Sequence, residues 1–303
     1  MARREVQDLI EQFRVGNVLA LPSVSDMRAA LDNIGRQHPV PNDVVCERVS
    51  IGNTNAEWIK APGASDEKVL LYFHGGGYVI GSLNSHRQLI ARLSRASGLS
   101  ALALDYRLAP EHPFPAAVDD AIAAYKWLRA SGVHPNRIVI GGDSAGGGLA
   151  IATLVSLRDA VEDLPACVVC ISPWVDLEAS GKSYTLRATI DPMCHKQEIL
   201  NLAKTYLAGQ DPRAPLASPL YANLRGLPPL LIHVGEAETL YDDSARIADR
   251  ATEAGVEVVL KEWKDMPHVF QLFAPSFPET EQSIAEIAEF IGTHLSGRVR
   301  VLV

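Results

Sequence analysis

With 303 residues, 47% of them hydrophobic, the chain holds enough apolar material to bury a sizeable core, which excludes a disordered tail or linker. A formal net charge of -8 leaves no excess of Lys and Arg to neutralise phosphates. This argues against nucleic acid or an anionic membrane surface as principal partner and favours a neutral small-molecule substrate. Four scattered cysteines, Cys46, Cys167, Cys170 and Cys194, do not make a disulfide scaffold in a chain this long.

At the start, Val6, Leu9, Ile10 and Phe13 fall at i, i+3, i+4 and i+7, which predicts an amphipathic helix over residues 3–20. The twin arginine there is followed by Glu5, Asp8 and Glu11 without an apolar signal core, so the expected address is cytoplasmic. A second short helix is expected at "MRAALDNIG". From about Val44 strand-like segments follow: "VCERVSI", "AEWIKA", "KVLLYFHG", "ALALDYR", "RIVIGG", "ACVVCIS", "PLLIHVG" and "VEVVLKEW". Helical stretches "HRQLIARLSRAS", "PAAVDDAIAAYKWLRAS", "AGGGLAIATLVSLRDA", "DDSARIADRATEAG" and "ETEQSIAEIAEFIGTHL" lie between or after them. This alternation predicts an α/β fold with a mostly parallel sheet covered on both faces. From about Glu178 to Leu227 no strand is convincing, although "HKQEILNLAKTYLA" reads as helix. Fifty residues are too many for a bare loop, so an inserted helical segment is expected, joining the N-terminal helices as a lid over the sheet edge.

Two local patterns need arbitration. Cys167 and Cys170 form C-x-x-C, a spacing used in redox and zinc sites, but the β-branched run around them reads as a buried strand with reduced thiols. The window from Ile138 to Leu157 is apolar enough to suggest a membrane span, yet Asp143 at its middle would be costly in lipid, and a strand, turn and helix account for it better.

That turn, "GGDSAGGGLA", is the centre of the functional reading. A dinucleotide fingerprint fails because Ile151 stands where the third glycine must be; a P-loop fails because Gly148 stands where lysine must be. Gly142-Asp143-Ser144-Ala145-Gly146 fits G-x-S-x-G, a sharp strand-to-helix turn that lifts a serine hydroxyl above the sheet edge. The segment His74-Gly75-Gly76-Gly77 follows an early strand, where backbone amides can approach a reacting carbonyl. Two of the three glycine amides, with Gly76 and Gly77 favoured over Gly75, would form an oxyanion hole with the Ala145 N–H.

Serine needs a base. His268, after the last strand, stands where the final loop returns to the sheet edge; His86, at a helix start, is a weaker rival, His233 reads as core, and His38, His112 and His134 neighbour prolines. Acid candidates after "PLLIHV" are Glu236, Glu238, Asp242 and Asp243; the last two also suit a helix N-terminus, and loop position favours Glu238 only slightly.

Together "HGGGYVIGS", "DYRLAPEHPFPAAVDD", "GGDSAGGGLA", "SPWVDL", "GEAETLYDDS" and "MPHVF", in this order from Val44 onward, resemble the bacterial hormone-sensitive-lipase-like (family IV) carboxylesterases of the α/β-hydrolase superfamily. The resemblance implies an α/β-hydrolase fold with an eight-stranded mostly parallel sheet. It also implies a helical cap built from residues 1–44 and an insertion at about 178–227, within a catalytic domain spanning 45–303. It makes Ser144 the nucleophile, His268 the base and Glu238 the acid, with no metal or cofactor. Asp105, Glu111 and Asp143 become structural members of the pattern. The family usually carries Asp-Pro-Leu where this chain has Glu238-Thr239-Leu240. A homodimer through the edge strand near residues 256–263 is implied. The expected activity is hydrolysis of short- to medium-chain acyl esters through an acyl-enzyme, without stable membrane association. Rival readings are a small-molecule receptor of the same branch, which lacks the catalytic histidine, and an amidase or carbamate hydrolase using the same triad.

Overall fold

The computed structural model describes residues 16–273 and 277–295, together with five isolated positions before residue 16. Of the helix expected over 3–20, residues 4, 8, 10, 11 and 14 are helical, whereas Val6, Leu9 and Phe13 lie outside the described residues. At its far end Val18–Ala20 form a single 3-10 turn, and the Asn17 side chain accepts the Leu19 N–H at 2.9 Å. The next helix, α1 (Val24–Gln37), is longer than its apolar pattern suggests because Ser23 caps it, accepting from Asp26 N at 3.1 Å.

All eight expected strands form: β1 (Val45–Ile51), β2 (Thr54–Lys60), β3 (Ser65–Phe73), β4 (Leu99–Asp105), β5 (Ile138–Asp143), β6 (Cys167–Ile171), β7 (Leu230–Gly235) and β8 (Val258–Trp263). They make one sheet in the order β1-β2-β4-β3-β5-β6-β7-β8. The β1–β2 and β2–β4 pairings are antiparallel and the rest parallel. Parallel neighbours require crossover helices, which the sequence supplies. They are α2 (Leu83–Ser97), α3 (Ala116–Ala130), α4 (Ala145–Asp159) and α7 (Tyr241–Glu253), with α8 (Phe270–Phe273) and α9 (Pro278–Leu295) closing the chain's described part.

Both faces of the sheet are buried, and the strands show it by alternation. Leu71 and Phe73 of β3, Ile138 and Ile140 of β5 and Ile232 of β7 enter the core shared with α3, α4 and α7. Leu70, Tyr72, Val139 and Leu231 point the other way, against Leu89 and Leu93 of α2 and Ile287 and Ile291 of α9. The same alternation resolves the C-x-x-C pair. Cys170 enters the first core and Cys167 the second, so two thiols three residues apart on a strand face opposite sides and stay free.

Among the described residues no strand lies between β6 and β7. The interval holds α5 (Ser183–Leu186), α6 (Lys196–Leu207) and a 3-10 turn at Pro219–Tyr221. Leu31 and Ile34 of α1 and Ile199 and Leu202 of α6 line one cleft beyond the carboxyl ends of the parallel strands, so the N-terminal segment and the insertion meet there.

The turn from β5 into α4 is possible because three backbones crowd together. A Cβ on Gly142 would sit 2.3 Å from the Gly146 carbonyl oxygen, and one on Gly146 would sit 2.0 Å from the carbonyl oxygen of Phe73. Backbone atoms cannot swing aside, so glycine is required there for close approach. Gly146→Ala should cost about 1–3 kcal/mol or more of stability in denaturant unfolding; an unchanged midpoint would show that the helix can retreat from β3.

Candidate active site

Ser144 sits between β5 and α4 at φ 50°, ψ -120°, a backbone conformation that L-residues avoid. Its carbonyl accepts Trp174 N at 2.9 Å and its N–H donates to Ile171 O at 2.8 Å, so the strained turn is tied to the chain leaving β6. The hydroxyl is left free to face the cleft. His268 Nε2 lies 3.0 Å from Ser144 Oγ, across 124 residues of sequence.

On the far side of the ring, His268 Nδ1 bonds Glu238 Oε2 in a short contact. Glu238 is fully buried and its other oxygen accepts Gly235 N at 2.8 Å and Ser172 Oγ at 3.0 Å. Ser172 also accepts Val269 N at 3.3 Å, so one hydroxyl holds both the acid and the residue next to the imidazole. Sequence reasoning missed Ser172. Its only signal is a hydroxyl placed immediately after a buried strand.

The other candidates are engaged elsewhere. Asp243 Oδ2 accepts the N–H groups of Val175 and Asp176, each at 3.0 Å, and Asp242 accepts Ser183 N at 3.0 Å. His233 is a core residue as expected, bonded to Ser283 Oγ at 2.8 Å, and burial pushes its pKa down to about 3. The rival His86 does not reach Ser144. Its Nε2 lies 3.2 Å from Asp143 Oδ2, while Tyr72 donates to Asp143 Oδ1 at 2.9 Å. Burial works against the Asp143 carboxylate, but His86, Tyr72 and His74 outweigh it and hold its pKa below the ordinary value.

The glycine loop needs one correction. Gly75, the least favoured of the three candidate oxyanion donors, drops out, because its N–H points at His86 Nε2, 3.3 Å away. Gly76 and Gly77 line the cleft beside Ser144 and His268, and neither amide donates to a protein acceptor among the described residues. The loop is folded tightly enough that Gly76, at φ 115°, accepts Val79 N and Ile80 N on its own carbonyl. Arg28 of α1 braces the same loop, with Nε on the Val79 carbonyl at 2.9 Å and a two-pronged contact to Glu111 at 2.9 and 2.7 Å.

The cleft is walled by apolar side chains, including Trp174, Met193 and Leu272. Cys194 also faces it and lies against His268. Burial opposes a charged His268 imidazole, but Cys194 and Glu238 beside it reverse this and raise its pKa well above the ordinary histidine value. Burial pushes the Cys194 thiol up, which leaves it uncharged near neutral pH, so Glu238 supplies the negative charge. Among the described residues, no cluster of His, Cys, Asp and Glu could hold a metal ion, and no helix is long and apolar enough to cross a membrane.

A family model described as an alpha/beta hydrolase fold matches residues 70–272. An acetyl-hydrolase of Streptomyces hygroscopicus is 47% identical over 253 residues, 84% of this chain and 83% of that one. An esterase of Acinetobacter venetianus is 36% identical over 265 residues, 87% of each. The crystal structure of an esterase from the bacterial hormone-sensitive lipase family superposes with a TM-score of 0.94 at 50% identity, covering 97% of this chain and all of that one. The chain therefore belongs to the bacterial hormone-sensitive lipase family of α/β-hydrolases and is a carboxylic ester hydrolase.

The charge pairing can be tested on the ring itself. By NMR, the His268 imidazole should titrate above the ordinary histidine value, and Glu238→Gln should lower that midpoint, because the imidazolium loses its counter-charge. An unmoved midpoint would mean that the carboxylate does not govern the ring.

Proposed function

We propose that the chain is a serine carboxylesterase that cleaves short- to medium-chain acyl esters through an acyl-enzyme, with Ser144 as nucleophile, His268 as base and Glu238 as acid. The observation that carries this reading is the imidazole of His268 bridging the Ser144 hydroxyl and the buried Glu238 carboxylate. With Nδ1–H given to Glu238, the ring presents the lone pair of Nε2 to Ser144 Oγ–H. The ring takes that proton as Oγ bonds to the ester carbonyl carbon. The carbonyl oxygen becomes an anion facing the amides of Gly76, Gly77 and Ala145. When the anion collapses, the C–O bond to the alcohol breaks and His268 returns its proton to the departing oxygen. Water then repeats the sequence on the acyl-enzyme, with His268 as its base, and releases the acid.

Substrate size is read from the cleft. Its apolar walls suit an acyl chain, and residues 1–44 with the insertion at about 178–227 act as a cap that limits its length. β8 bonds β7 on one edge only in the sheet order, and Val259 on it is 43% exposed, which supports pairing of two copies through this edge.

A panel of p-nitrophenyl esters and a matched anilide tests the reading. Ser144→Ala should lower turnover of the butyrate ester about 10,000-fold or more. The wild-type enzyme should prefer butyrate and hexanoate to palmitate and leave the anilide nearly untouched. Retention of activity without the Ser144 hydroxyl would refute the mechanism, and comparable palmitate turnover would refute the chain-length preference.

A further inference from the structure

Asp191 lies in the insertion, has 1% of its surface exposed, and bonds to no Lys or Arg side chain among the described residues. Its carboxyl spends itself on backbone. Oδ1 accepts Met193 N at 2.8 Å and Cys194 N at 2.9 Å, while Oδ2 accepts Thr239 N at 2.6 Å. Thr239 is the residue after Glu238. The link is returned in the other direction, because Thr239 Oγ1 donates to the Cys194 carbonyl at 2.5 Å. A second tie lies alongside: Ser183 Oγ donates to the Thr239 carbonyl at 2.5 Å and accepts Asp242 N at 3.1 Å. Three residues of the insertion are thereby fastened to the loop that carries the acid.

We propose that Asp191 is a positioning residue for the reaction: one buried carboxyl fixes both the peptide that carries Glu238 and the Met193–Cys194 wall of the cleft. The inference rests on the triad reading above and extends it to the insertion. Its physical basis is that backbone N–H groups buried away from water must be paired, so the carboxyl cannot release one partner without cost. Glu238 has Gly235 N and Ser172 Oγ on one oxygen and His268 on the other, but the chain just beyond it is held by the insertion, with Asp191 taking the Thr239 N–H while Cys194 and Ser183 take its hydroxyl and carbonyl. A shift of that peptide would turn the carboxylate away from Nδ1. The titratable groups packed around the imidazole are Glu238 from the β7–α7 connection and Cys194 from the insertion. Asp191 bonds a peptide of each connection, at Thr239 and at Cys194.

Asp191→Asn separates the two halves of the role. Its remaining carbonyl oxygen can keep the Met193 and Cys194 N–H groups, which places the new NH2 against Thr239 N–H, donor facing donor. We expect kcat on p-nitrophenyl butyrate to fall roughly 10- to 100-fold, the loss that follows a displacement near 1 Å. The acid limb of the kcat/KM profile should move to lower pH as the carboxylate loosens from the ring. In a Glu238→Gln background the same substitution should cost less than about 2-fold, because the group it positions is already gone. A lowered melting temperature with kcat and the acid limb unmoved, or an undiminished loss in the Glu238→Gln background, would overturn the proposal. Wild-type kcat in Glu238→Gln alone would instead sink the triad reading beneath it. Should Asp191→Asn fail to fold, Asp191→Glu keeps a charged acceptor but sets it one methylene away from the Thr239, Met193 and Cys194 N–H groups. It should lower kcat severalfold with an acid-limb shift of the same sign; wild-type kcat and pH profile in that variant would likewise overturn the proposal.

Discussion

The site depends on one backbone constraint, the left-handed conformation of Ser144 at the end of β5. Such a residue carries strain of about 1–3 kcal/mol, which its surroundings must over-determine. Here they do so with the close approach of Phe73, Gly142 and Gly146 on one side and with hydrogen bonds to Ile171 and Trp174 on the other. The result is a hydroxyl displayed at the sheet edge and a helix N-terminus aimed at the same point. An anion forming on a carbonyl above Ser144 would meet the Ala145 N–H at the start of α4 and the dipole of that helix.

Around this fixed point the sheet acts as a ruler. Parallel strands bring their carboxyl ends to one edge, so residues after β3, β5, β6, β7 and β8 meet although they are far apart in sequence. Gly76 and Gly77 come from the first of these connections, Ser172 from the third, Glu238 from the fourth and His268 from the last. β6 and β7, which place Ser172 and Glu238, are buried along their whole length, while His268 follows the edge strand β8. The insertion after β6 supplies the cleft's roof and, through Asp191, reaches the acid loop from above.

What could be read from sequence divides by how local its cause is. The eight strands and the serine turn were legible because apolar runs and clustered glycines have causes within a few residues. The pairing of His268 with Ser144 followed from chain order on a parallel sheet. Among Glu236, Glu238, Asp242 and Asp243 no local signal chose well, since all lie within one loop and helix start. The choice is made by contacts with Ser172, Gly235 and His268, which only the folded sheet edge assembles. Gly75 stays a candidate donor in sequence for the same reason: consecutive glycines look alike, and only the position of His86 shows which amide is taken. Asp191 gave no signal at all, because a carboxyl bonded to peptide N–H groups leaves no partner side chain to notice.

The central claim is that Ser144 becomes the acylated atom while His268 moves the proton. The most direct measurement is rapid quenching of the enzyme with p-nitrophenyl acetate at early turnover, followed by peptide mass mapping. The account predicts a single acetyl group on the peptide carrying Ser144, present during turnover and absent from Ser144→Ala. Acetyl found instead on the neighbouring Cys194, or sustained turnover with no covalent adduct at any time, would contradict it.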